Sequence, residues 1–208
     1  SAPDGTPTNA VFGFLNILQR LLDDEKPDAL CVMFDRREPT FRHKHSEAYK
    51  ATRKPMPEDL RPQIPLLKEL LAAMEICIVE KEGWEADDVI GTIAKSTDVD
   101  TIIVTGDRDA LQLVDDHTTV FFTKRGITDV EVDDAAHFKD KTELTPAQII
   151  DLKALMGDSS DNIPGVPGIG EKGACKLVQT WGTVENILSN VERIKGRQGE
   201  SIAAWGDK

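Results

Sequence analysis

Apolar residues along the chain follow two rhythms. Val11, Phe14, Leu15, Leu18, Leu21 and Leu22 recur at helical spacing behind Thr8-Asn9, and Pro27 closes the run. That spacing predicts an amphipathic helix with Thr8-Asn9 as its N-cap. ALCVMF, 29–34, is a short, unbroken apolar run and predicts a fully buried strand that ends at Asp35. A longer helix is expected from about Pro57 to Met74, with Leu60, Ile64, Leu67, Leu70 and Leu71 facing inward. EICIVE, 75–80, predicts the next strand. A helix from near Ala86 then turns Val89, Ile90 and Ile93 to the core.

The same alternation continues. TIIVT, 101–105, is another apolar strand, and Leu111, Leu113 and Val114 lie on a short helix after it. TVFFT, a KRG turn and ITDVEV predict a hairpin. From Thr145, an expected N-cap before Pro146, a helix carries Ile149, Ile150, Leu152 and Leu155. Short apolar strands alternating with amphipathic helices imply an α/β domain with a largely parallel sheet. The stretch IPGVPGIGEKGACKLVQTWG, 163–182, is different: Gly and Pro crowd a tight turn before a helix from about Glu171, which suggests a small helical unit. There is no internal repeat and no low-complexity tract.

In open α/β sheets, ligands bind outside the carboxyl ends of the strands. Asp35 follows one predicted strand and Asp107 another, so both fall on that edge. GWEADDVIGTIAK, 83–95, adds Glu85, Asp87 and Asp88 just before a helix. Two readings are open for these three. Acidic groups at a helix start can act as caps, worth roughly 0.3–1 kcal/mol each, or they can hold a metal. TGDRD adds Asp107 and Asp109, and GDSSDN adds Asp158 and Asp161; each could equally be an ordinary turn. If the groups converge, two unit charges ~4 Å apart cost about 4 kcal/mol at an effective dielectric near 20. Hard cations such as Mg²⁺ or Mn²⁺, which favour carboxylate and water ligands, would remove that cost. No His/Cys spacing suggests zinc, and His43 and His45 read as facing solvent or DNA.

Composition refines this picture. The 208 residues are 39% hydrophobic and carry a formal net charge of −12, which argues against a general nucleic-acid coat protein. Yet RREPTFRHKHSEAYKATRK, 36–54, holds seven Lys or Arg against two Glu, net +5. Its apolar face is poor, so it is expected to project from the core. Cys31, Cys77 and Cys175 lie far apart in apolar runs and are expected to be reduced core residues, which suits a cytosolic protein. No apolar run approaches the ~20 residues of a membrane span. The start, SAPDGTPTNA, is not a signal peptide and lacks Met, so the sequence reads as a processed chain or a fragment.

DGTPTNAVFGF (4–14), FDRREPTFRHKHSEAYKATRKPMPEDLRPQ (34–63), EGWEADDVIGT (82–92), VTGDRDALQLV (104–114) and LKALMGDSSDNIPGVPGIGEK (152–172) together resemble the 5′-nuclease family. The likeness is to the 5′→3′ exonuclease/flap endonuclease domain of bacterial DNA polymerase I, and it covers essentially the whole chain. It implies a PIN-like sheet flanked by helices with a helical arch (residues 1–150), and a helix–three-turn–helix module (151–208). It implies a two-metal cluster of Mg²⁺ or Mn²⁺ on Asp35, Glu85, Asp87, Asp88, Asp107, Asp109, Asp158 and Asp161. The arch would run from Arg42 to Lys54, with Lys50 and Arg53 at the scissile phosphate and Tyr49 stacking on a base. Gly165, Gly168, Ile169, Gly170 and Lys172 would hold duplex backbone, with a K⁺ ion at the turn.

The family's first strand carries one more metal-binding Asp, in a DGN-like motif, and this chain starts after it. The helical region past the module is likewise shorter than in the family. The implied activity is Mg²⁺-dependent hydrolysis of DNA at 5′ flaps or 5′ ends of single-strand/duplex junctions. Primer RNA on DNA is a further implied partner, in a monomeric bacterial cytoplasmic protein near the nucleoid, with a polymerase domain fused in the full protein. The alternatives are a DNA-junction binder without turnover, because that Asp is absent, and a PIN-type ribonuclease.

Overall fold

A computed structural model describes residues 1–123 and 130–206. The fold is α/β, with parallel strand pairs flanked by helices. The chain forms two compact units. One comprises Ser1–Phe41, Lys54–Ile93 and Thr123–Glu131; the other comprises Arg42–Arg53, Ala94–Phe122 and Val132–Lys208.

In the first unit, helix α1 (Asn9–Glu25) and helix α3 (Gln63–Ala73) pack with strands β1 (Cys31–Met33) and β2 (Cys77–Val79). The strands run parallel, pairing Cys31 with Cys77, Val32 with Ile78 and Met33 with Val79. Phe34 N–H extends the ladder to Val79 O at 3.1 Å. Val11, Leu18, Leu67 and Leu71 form the buried centre, with Phe14, Leu15, Leu22, Val32 and Ile78 against it. The strands are half-buried rather than sealed, and Cys77 is exposed instead of filling core space. All three cysteines are free thiols.

Helix α3 starts six residues later than the periodicity predicts, at Gln63. Turns occupy 57–62, where Leu60 N–H and Arg61 N–H both donate to Pro57 O. Pro62 and Pro65 explain the late start: proline is tolerated in the first turn of a helix but not deeper. Thr8 makes no side-chain cap on α1. Gln63 supplies it instead, from 53 residues away. Its Oε1 accepts from Ala10 N–H at 2.8 Å and Val11 N–H at 3.3 Å, and its Nε2 donates to Asn9 Oδ1 and Asp59 O. At the other end, Lys26 adopts φ 47° and returns its N–H to Leu22 O, just before Pro27.

Helix α4 (Ala86–Lys95) begins in the first unit and buries only Ala94; Ile93, expected inward, is exposed. In the second unit, β3 (Thr101–Thr105) runs parallel to β4 (Thr118–Thr123), with Thr101 beside Thr118 and Thr105 beside Phe122. Strand β5 (Val130–Asp133) lies next to β4, as a hairpin requires, and the expected KRG turn falls outside the described residues.

The helices after β5 are α5 (Ala135–Thr142), α6 (Gln148–Met156), α7 (Glu171–Trp181), α8 (Val184–Ser189) and α9 (Arg197–Gly206). They share one core of Phe138, Leu144, Ile149, Leu155, Val166, Ala174, Val178, Ile187 and Ile202. Ile150, expected inward, is exposed. Gln148, not Thr145, closes the start of α6, its Oε1 accepting Thr145 N–H at 2.9 Å.

Between α6 and α7 the chain doubles back through β6 (Gly157–Asp158) and β7 (Ile163–Pro164), which pair antiparallel. A Cβ on Gly157 or Gly165 would lie 2.3 Å from backbone of the other's segment, so both positions need glycine for this close approach.

Replacing Gln63 with Leu should expose the cost of the long-range cap. Ala10 and Val11 would lose their acceptor in a buried setting. The urea midpoint should fall by the equivalent of roughly 1–3 kcal/mol; an unshifted midpoint would show that another group caps α1.

Candidate metal and phosphate site

In the first unit, Asp35 follows β1 and its Oδ1 accepts Ala86 N–H at 2.7 Å. Asp88 Oδ2 accepts Glu85 N–H at 3.0 Å. Both carboxylates therefore accept N–H groups at the start of α4. Glu85 is buried, at 8% exposure, whereas Asp87 is exposed.

In the second unit, Asp107 follows β3 and Asp109 lies in a 3₁₀ turn, Arg108–Leu113. Asp107 Oδ1 accepts Asp109 N–H at 2.9 Å, so the pair forms a capped turn at the strand end. Asp158 and Asp161 sit in the β6–β7 connection. Asp158 Oδ1 accepts from Ser160 N–H at 2.8 Å and Ser160 Oγ at 2.5 Å. Lys153, on α6, places its Nζ 2.7 Å from Asp109 Oδ1 and 2.6 Å from Asp158 Oδ2. Asp109 Oδ1 is shielded from solvent, and Lys153 is its close charged partner.

The strip 42–53 belongs to the same unit and does not project. After a short helix α2 (Phe41–His45), it lies along residues 160–162. Lys50 N–H donates to Asp161 O at 2.9 Å, and Asn162 Nδ2 donates to Ala48 O at 2.7 Å. Arg53 Nη2 meets Asp161 Oδ1 at 2.5 Å, Tyr49 hydroxyl donates to Asp161 Oδ2 at 3.1 Å, and Lys50 Nζ lies 3.9 Å from that oxygen. Tyr49 is 8% exposed, with His43 edge-on at 5.2 Å. This arrangement gives its ring no open face for a base. Ile169 likewise lies in the helical core at 5% exposure, and its N–H is spent on Val166 O.

Gly168 is exposed at φ +80°, a backbone conformation that strains any other residue, and nothing approaches its Cβ position. Gly170 is equally open and precedes α7, beside exposed Lys172. A phosphate can approach such a helix start closely. Gly165 serves the packing against Gly157 instead. Arg42 is half-buried, and Lys54, in the first unit, is exposed.

Among the described residues, no group of three or more His, Cys, Asp or Glu side chains stands ready to hold a metal ion. Each carboxylate with a described contact has turned to a backbone N–H or to a cation of the chain.

Lys153 was not singled out by pattern. A single Lys within IIDLKALM looks like a solvated residue in a helix's last turn. Its signal was its place five residues before Asp158. Burial opposes its charge, but Asp109 and Asp158 outweigh burial and raise its pKa. Burial alone would raise the Asp158 pKa, yet Lys153 and Ser160 together hold it far below the usual carboxylate range.

The family model for the 5′-3′ exonuclease N-terminal resolvase-like domain matches residues 1–143, and that for the 5′-3′ exonuclease C-terminal SAM fold matches 144–208. The chain belongs to the 5′-3′ exonuclease family. DNA polymerase I of Bacillus subtilis is 49% identical over 197 residues, 93% of this chain and 22% of that protein. DNA polymerase I of Mycobacterium tuberculosis is 40% identical over 203 residues, 96% of the chain and 22% of the relative. The chain thus spans about a quarter of the length of these relatives or slightly less.

Two solved structures share the fold. T5 D15 protein co-crystallised with metal ions superposes with a TM-score of 0.76 at 23% identity, covering 95% of this chain and 78% of that one. The catalytic core of Rad2 in complex with DNA substrate gives 0.58 at 20% identity, covering 89% and 57%.

Asp158 should show in the acid dependence of stability. Its folded pKa is depressed, so its contribution is fully present above the unfolded carboxylate value near ~4 and is lost as pH falls below it. Asp158→Asn should be less stable than the parent at pH 7, with the gap narrowing as the buffer is taken toward pH 3. A gap constant over that range, by urea titration, would contradict the Asp158–Lys153 pairing.

Proposed function

We propose that the chain is a divalent-metal-dependent 5′ nuclease. It hydrolyses DNA phosphodiesters at 5′ flaps and at 5′ ends beside duplex, and removes primer RNA and repair flaps. The observation that carries this reading is the second unit's assembly of Asp107, Asp109, Asp158 and Asp161, with Lys50, Arg53 and Lys153 drawn to them. Family membership and the DNA-substrate and metal-ion structures that share the fold add support.

The residues fit hard cations. Their donors are all carboxylate oxygens, the chemistry of Mg²⁺ and Mn²⁺. Asp109 Oδ1, shielded from solvent and held only by Lys153, is a carboxylate oxygen that an ion could take over. Asp107, Asp109, Asp158 and Asp161 in the second unit, and Asp35, Glu85, Asp87 and Asp88 in the first, would hold the ions. Such ions, when bound, activate the attacking water and stabilise charge on the leaving oxygen.

The other roles fall to the chain's own groups. Lys50 and Arg53 offset charge on the scissile phosphate and orient it. The open backbone at Gly168 and Gly170, with Lys172, holds the duplex phosphates, contacts that carry no sequence information. A K⁺ ion would suit the same turn. A fused polymerase domain and a monomeric, nucleoid-associated state in the cytoplasm complete the proposal.

The first test is cleavage of a 5′-labelled flap with Mg²⁺ and with EDTA. Cleavage in Mg²⁺ alone supports the reading. Flap binding without product under any divalent metal would favour a junction-binding protein. A preference for single-stranded RNA would favour a ribonuclease. Asp107→Asn keeps an acceptor for Asp109 N–H and should therefore fold. It is expected to lose about two orders of magnitude in cleavage rate or more, while flap affinity survives; unchanged turnover would remove Asp107 from the metal set.

A further inference from the structure

We propose that Lys153 is an internal stand-in for a divalent cation: it neutralises Asp109 and Asp158 in the metal-free chain and must leave them when the metal binds. The inference rests on the nuclease reading above, which supplies the metal. Lys153 Nζ lies 2.7 Å from Asp109 Oδ1 and 2.6 Å from Asp158 Oδ2. These are distances of close charge-assisted contact. The other oxygen of Asp158 is committed to Ser160 N–H, Ser160 Oγ and, at 3.3 Å, Asp161 N–H. Asp107 Oδ1 is committed to Asp109 N–H. A cation that bridges Asp158 Oδ2 and Asp109 Oδ1 would take the two oxygens that Lys153 already holds.

Asp109 Oδ1 decides the matter. That oxygen is shielded from solvent, although the side chain is 38% exposed, and it makes no other hydrogen bond, so it would lose its partner if Lys153 moved away with nothing to replace it. Ammonium and metal are thus alternatives at one place. The flexible, unbranched stem of lysine allows the exchange without moving α6, and its departing charge is free to meet a phosphate. Lys153 is accordingly a positioning residue: it keeps the carboxylates together and sets how tightly the metal must bind to displace it.

The test uses the 208-residue chain without DNA. Mn²⁺ affinity is measured calorimetrically for the parent, Lys153→Met and Lys153→Arg. Lys153→Met keeps the stem and removes the competitor, so it should bind Mn²⁺ roughly tenfold more tightly. It should also melt earlier in EDTA than the parent. Lys153→Arg, which keeps the charge, should stay near the parent in both. Equal or weaker Mn²⁺ binding by Lys153→Met would overturn the inference.

A second measurement needs no variant. Acetylation of Lys153 in the parent, followed by mass spectrometry, should speed up several-fold at saturating Mn²⁺; an unchanged or slower rate would also overturn it. Failure of the parent itself to bind Mn²⁺ would remove the metal-dependent reading of function, and this inference with it. Binding by the parent with no difference in Lys153→Met would remove this inference alone.

Discussion

Negative side chains held together at the end of a strand must meet positive charge. That constraint organises the second unit. Two carboxylates ~4 Å apart repel by about 4 kcal/mol at an effective dielectric near 20, a large part of a domain's whole stability of roughly 5–15 kcal/mol. Here Lys153 lies between Asp109 and Asp158, and Arg53 and Lys50 lie against Asp161. Peptide N–H groups complete the coverage at Asp107 and Asp158. The acidic set is tolerated because the chain brings its own cations to it.

The scaffold beneath this set is apolar and indifferent to charge. Leu155 and Ile149 anchor α6 in the helical core, and Gly157 against Gly165 fixes the turn that follows. Lys153 and Asp158 are thus aimed by packing, not by their mutual attraction. The strand end that carries Asp107 is held likewise by Ile103 and Val120 in the β3–β4 pair.

Local pattern revealed much of this. The alternation of apolar runs located α1, α3, α4, α6 and the parallel strands, since burial of one face leaves a period in the sequence, but not α5, α8 or α9. The acidic motifs drew attention to the strand-end groups, and the structure places Asp35 after β1 and Asp107 after β3. What escaped was set by distant partners. Gln63 caps a helix more than fifty residues away, which no window around Thr8 could indicate. Tyr49 and Ile169 look available for DNA in the sequence, yet each is buried: Ile169 in the helical core, and Tyr49 with its hydroxyl on Asp161, more than a hundred residues away. The basic strip looked solvated because its partners, Ser160 to Asn162, lie over a hundred residues away. Lys153 was invisible for the same reason: its meaning comes from Asp109, not from its neighbours in α6.

The most direct measurement is a crystal structure of the chain soaked in Mn²⁺, with anomalous scattering used to locate the ions. The account predicts a strong peak at the oxygens of Asp109 and Asp158, with the lysine ammonium displaced from between them. Density for that ammonium still seated between the two carboxylates, with manganese absent or bound elsewhere, would contradict it.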